Sequence, residues 1–103
     1  MNCCYTIVIK QIVCNNGVPK RIDNVHTNLS PNTKIKLEFG YSLTFLNGTD
    51  KQCSIMLGND LFIPNVTFTI LSGSFKIFDL PVPNSSYRLY VAARKVCCQT
   101  CNN

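Results

Sequence analysis

Any chemistry this chain can do falls mainly to its seven cysteines, and they are unevenly placed. Cys3 and Cys4 stand near the start, Cys97, Cys98 and Cys101 near the end, and Cys14 and Cys53 between. Bridged cysteines prefer Cα atoms ~5.5–6 Å apart, whereas sequence neighbours are held at ~3.8 Å. In an extended segment, adjacent side chains also point to opposite sides. Cys3 and Cys4 are therefore expected to reach two different partners, and the same holds for Cys97 and Cys98. Those partners can lie in the same chain, tying the N-terminus to the last strand, or in another copy. The count of seven is odd. At least one sulfur is left for a bond between chains or as a free thiol.

Other uses of these side chains fit less well. Cys98-Gln99-Thr100-Cys101 has zinc-ligand spacing, with Cys97 beside it and Cys3 or Cys4 available to complete four ligands. No second C-x-x-C answers it, so a cysteine–zinc module is a minor reading and no metal or cofactor is expected. Nucleophilic catalysis would need His26, the sole histidine, brought against Cys14 or Cys53, and nothing in the spacing favours that. The five acids, Asp23, Glu38, Asp50, Asp60 and Asp79, form no paired-carboxylate motif. No enzyme and no small-molecule substrate are expected. Asn28, Asn47, Asn65 and Asn84 each open a glycosylation acceptor pattern, which a chain rich in Asn, Ser and Thr produces by chance.

The composition sets outer limits. A chain of 103 residues, 46% of them hydrophobic, makes one globular domain with one core. Its net charge is +5, but the ten Lys and Arg are scattered, which suits solvated strand edges better than nucleic acid. No apolar run approaches the roughly 18 residues of a membrane span. Val8 to Val13 is broken by Lys10 and Gln11 and lacks the flanks of a signal peptide, so no secretion leader is expected. That expectation conflicts with so many cysteines, which suit an oxidising destination.

The elements that must position the cysteines read as strands. Tyr5 to Cys14 is rich in β-branched residues and ends at the turn Asn15-Asn16-Gly17. Arg21 to His26 is a second strand, and Thr27 to Thr33 a loop. Lys34 to Phe39 alternates charged and apolar residues and Tyr41 to Phe45 resumes the alternation after Gly40. Asn47-Gly48 reads as a tight hairpin turn, and Gln52 to Leu57 returns with Cys53, Ile55 and Leu57 on one face. Gly58-Asn59-Asp60 reads as a turn, Leu61 to Ile63 as a short strand ending at Pro64, and Val66 to Ile70 and Phe75 to Phe78 as further strands. Tyr87 to Val96 puts Tyr87, Leu89, Val91 and Ala93 on one face. Nothing sustains a helical period. The expected fold is all-β, an eight-stranded jelly-roll β-sandwich with a short N-terminal cysteine connector.

The start Met1-Asn2-Cys3-Cys4, followed by Thr6-Ile7-Val8 and Val13-Cys14, resembles the endospore appendage (Ena) pilin subunits of Bacillus-type bacteria. That family combines a cysteine connector, a jelly-roll core, a cysteine in the first core strand and another in the last. The resemblance implies a connector over residues 1–12 that runs into the first strand, a core over 13–98 and a cysteine tail over 99–103. It makes Cys3 and Cys4 the inter-subunit connectors and Cys14, Cys97 and Cys98 the acceptors, leaving Cys53 and Cys101 unassigned. It implies a self-assembling, disulfide-crosslinked extracellular fibre on the spore surface, its subunits made in the mother cell without a signal peptide. The partner would be the chain itself, through edge strands and disulfides, with a spore coat or exosporium protein as a further one. No nucleic acid and no membrane enter this reading. The connector is short, however, and Tyr5 to Ile9 is apolar for a free linker. The alternative is a small monomeric secreted binding or adhesin domain stapled by its disulfides.

Overall fold

The computed structural model describes residues 3–98. Strand β1 (Cys3–Asn15) is followed by β2 (Val18–His26), β3 (Thr33–Lys36), β4 (Ser42–Gly48), β5 (Gln52–Asn59), β6 (Ile63–Leu71), β7 (Ser74–Leu80) and β8 (Ser86–Cys98). They form two antiparallel four-stranded sheets packed as a β-sandwich: sheet A in the order β2-β1-β8-β7 and sheet B in the order β3-β4-β5-β6. Among the described residues no helix is long and apolar enough to cross a membrane.

Alternation in β1 drives the packing. Cys3, Tyr5, Ile7, Ile9, Gln11 and Val13 face inward, and Cys4, Thr6, Val8, Lys10, Ile12 and Cys14 face outward. Tyr87, Leu89, Val91 and Ala93 of β8 are buried beside them, as the sequence predicts. Sheet B closes the core with Leu43, Phe45, Cys53, Ile55, Leu57 and Ile70. Burying such side chains contributes about 1.5–3 kcal/mol each. The β1–β2 hairpin turns on Asn16 and Gly17, both at positive φ (55° and 76°), the conformation a two-residue hairpin requires.

The sheet order departs from a jelly roll. A jelly roll interleaves strands of two Greek keys, whereas each sheet here joins sequence neighbours, with β1 and β8 bringing the chain ends together. The short links β1–β2, β4–β5 and β5–β6 are the reason, because each seats a strand beside its sequence neighbour. The turn through Ser72 and Gly73 carries the chain from sheet B to sheet A at the sandwich edge, where Phe68 and Phe78 meet with ring centroids 4.9 Å apart.

Three local expectations also change. Asn47-Gly48 is not a turn. Both residues lie in β4, and the bend follows at Thr49, whose N–H donates to the Gln52 carbonyl at 2.7 Å. Glycine is needed at 48 for another reason: a Cβ there would sit 2.5 Å from the Tyr5 ring and 2.7 Å from the Cys3 carbonyl. The strand expected over Lys34 to Phe39 stops at Lys36, because Phe39 adopts φ 59° within the 3-10 turn Glu38–Gly40. Leu61 and Phe62 belong to a turn, and β6 runs through Pro64, a residue tolerated because β6 is an edge strand.

Candidate functional site

Within the stretch expected to be a connector running into the first strand, residues 1–12, strand begins at Cys3. Strand β1 pairs with β8 along its length, from Cys3 opposite Cys98 to Cys14 opposite Ser86. The ladder gives Tyr5, Ile7 and Ile9 full burial, each no more than 1% exposed. A free arm would expose all three to water.

Cys3 and Cys98, both expected to bond between subunits, bond each other within the chain. The antiparallel register makes this bond possible, with their Cα atoms 4.0 Å apart and both side chains on the inner face. Cys98 is thereby removed from any zinc pair with Cys101, which lies outside the described residues together with the rest of the tail. Among the described residues no cluster of three or more His, Cys, Asp or Glu side chains is placed to hold a metal.

Around this cystine the chain builds a polar collar. Lys95 donates from Nζ to Asp50 Oδ1 at 2.6 Å and holds that carboxyl below its usual range. The same carboxylate oxygen lies 3.7 Å from the Cys98 sulfur, a contact without a proton because a disulfide sulfur carries none. Tyr5, beneath, donates its hydroxyl to the Thr49 carbonyl at 2.7 Å. Burial is the main cause that pushes its phenol pKa up, with Cys53 and Asp50 adding to it.

The remaining cysteines separate into kinds. Cys4 lies opposite Cys97 in the register, on the outer face of sheet A. Cys97 is an unbonded, half-buried thiol next to a β-bulge that pushes out Val96, which is 50% exposed. Cys14 is also unbonded and half-buried, on the same face at the other end of β1. Ten strand residues separate Cys14 from Cys4, the residue facing Cys97, a span of about 33 Å. The molecule is 50 Å long and 23 by 18 Å across, so the two thiols mark opposite poles of a rod. His26 faces Ile7, whereas Cys14 faces Pro19, about 23 Å further along β1. The register therefore keeps that cysteine and the histidine apart.

Cys53 is fully buried, opposite Gly48 and Ile70, and burial pushes its thiol from 9.0 up to about 11. A raised folded pKa stabilises the fold fully below the ordinary thiol range. That contribution is lost as pH rises toward about 11, because the unfolded chain ionises first. At pH 8 a maleimide will therefore modify Cys14 and Cys97 in the native protein and reach Cys53 only after denaturant is added. Native labelling of Cys53, read by peptide mass, would overturn its placement.

Sequence reasoning missed the polar residues that brace the sandwich. Gln11 is 2% exposed, and its Oε1 accepts from the Glu38 N–H at 2.8 Å and the Tyr87 hydroxyl at 2.6 Å. Asn59, also buried, donates from Nδ2 to the Phe39 carbonyl at 2.8 Å and accepts from the Leu61 N–H at 2.9 Å. The signal for Gln11 was present: a lone polar residue at an inward position of an alternating strand. Compared with known proteins, the chain matches no family model, no curated protein and no solved structure.

Proposed function

We propose that the protein is a structural subunit joined to further copies of itself by disulfides, building an extracellular fibre like those of the spore-appendage pilins that its N-terminal residues resemble. The observation that carries this reading is the pair of unbonded thiols, Cys14 and Cys97, at opposite ends of one face of a rod. A bond from Cys97 of one copy to Cys14 of the next is head-to-tail, and such a contact repeats into a filament unless its rotation closes a ring. The linkage expected of Cys3 and Cys98 thus passes to Cys97 and Cys14. A low-molecular-weight disulfide can supply the oxidation. The Cys97 thiol displaces one half of the reagent as a thiol. The Cys14 thiol then attacks the mixed disulfide and releases the other half, completing the two-electron exchange.

The open edges of sheet A support lateral contact as well. Strand β7 runs antiparallel to β8, β8 to β1 and β1 to β2, so β2 of an identically oriented neighbour would lie antiparallel to β7. Without a shift in register, Phe75 would meet Val25 and Asp79 would meet Arg21 across the seam.

The Cys3–Cys98 bond favours a second reading, a monomeric binding domain stapled end to end. One experiment separates the two. The full chain, oxidised with glutathione disulfide and run without reductant, should give a ladder of covalent multimers that reductant collapses. In a Cys4→Ser/Cys101→Ser background, Cys14→Ser and Cys97→Ser should each stop the ladder at the dimer, since one surface thiol joins only two copies. A monomer band throughout favours the staple and removes the fibre.

A further inference from the structure

The Cys14 pole carries a feature that a simple thiol joint does not need. A cleft of about 730 Å³ opens at this end of sheet A, lined by Ile12, Leu80, Pro81 and Val82 together with Ser85 and Ser86. Ile12 is 39% exposed and sits two residues before Cys14 on the same face of β1, about 6.7 Å away. The charged side chains of the wall, Arg88 and Asp79, hold each other at 2.8 and 3.2 Å. The cleft thus offers apolar side chains and no unpaired charge.

At the opposite pole, the bulge between Tyr5 and Cys4 leaves Val96 without a partner across the strand pair. It is half-exposed and immediately precedes Cys97. Resting on the reading above, we propose that the cleft beside Cys14 is the seat for Val96 of the next copy, so that an apolar plug guides the Cys97–Cys14 bond. The reach agrees. A disulfide holds its Cα atoms ~5.5–6 Å apart, and Val96 lies ~3.8 Å from Cys97. Their sum, about 9.5 Å, exceeds the distance from Cys14 to Ile12, so the valine side chain arrives over the cleft. The second copy is the occupant the geometry selects, because plug and thiol are neighbours in sequence and cleft and thiol are neighbours on one strand.

The joint can be isolated in a Cys4→Ser/Cys101→Ser background by mixing Cys14→Ser protein, which presents Cys97, with Cys97→Ser protein, which presents Cys14, distinguishing the two by mass. With glutathione disulfide present, the mixed dimer should form faster than either like pair. Val96→Asp in the first protein should slow it about tenfold by placing a charge in an apolar seat. Ile12→Asp in the second should do the same, and the two changes together should slow it further, because the two carboxylates would face each other. Labelling of each thiol by a small maleimide should stay unchanged, which separates docking from thiol reactivity or misfolding. A mixed dimer forming at the same rate with Val96→Asp overturns the plug while leaving the fibre standing. No mixed dimer from the parent pair overturns both.

Discussion

Replacing both Cys3 and Cys98 with alanine will lower the stability of the monomer by about 4–5 kcal/mol. The bond closes a loop with a sequence separation of 95, and constraint of the unfolded chain grows with loop length to about that size. For a domain of about 100 residues, each kcal/mol shifts Tm by roughly 4–8 °C, so the transition should fall by at least about 15 °C. The measurement is urea unfolding of a background in which Cys4, Cys14, Cys97 and Cys101 are all serine, which removes linkage between copies, with and without the two alanines. The midpoint should not depend on protein concentration, because the bond is internal to one chain. A midpoint that rises with concentration, or a loss below about 1 kcal/mol, would mean that these two cysteines bond elsewhere.

Gln11→Ala should be nearly as damaging without touching any cysteine. Its Oε1 receives two donors, the Glu38 N–H and the Tyr87 hydroxyl, in a site closed to water. Each orphaned donor costs about 1–3 kcal/mol, and the missing side-chain volume adds a cavity. A loss of about 3–5 kcal/mol is expected. Tyr87→Phe removes one donor cleanly and should cost only about 1–2 kcal/mol. The two changes should be strongly non-additive, since a phenyl ring at position 87 no longer needs the acceptor that truncation at position 11 takes away. Hydrogen exchange supplies the independent check. The Glu38 amide begins the turn that holds Phe39 at φ 59°, and it should lose protection in Gln11→Ala but keep it in Tyr87→Phe. Equal protection in both would show that Gln11 does not brace this turn.

The strand pattern was legible where side chains alternate. Tyr87, Leu89, Val91 and Ala93 share the buried face of β8 because successive residues of a strand face opposite ways, and that needs no partner to read. Legibility failed at Asn47-Gly48. The pair has turn chemistry, but Tyr5 crosses above it from the other sheet, and only a residue without a side chain admits that ring. It failed again at the start of β1. A stretch holding Cys3 and Cys4 reads equally well as an arm or as a strand until β8 is seen beside it.

The sequence by itself determined an all-β chain, the shared face of Tyr87, Leu89, Val91 and Ala93, the shared face of Cys53, Ile55 and Leu57, and the surplus of sulfur over what one chain can pair internally. These follow from alternation and counting, both local or additive. Only the tertiary structure decided which sulfurs are spent and which remain. Sheet order is a long-range property, set by which edges the connections can reach, and here it lays the first strand against the last. That one pairing joins Cys3 to Cys98, and the length of the same two strands holds Cys14 and Cys97 at opposite poles.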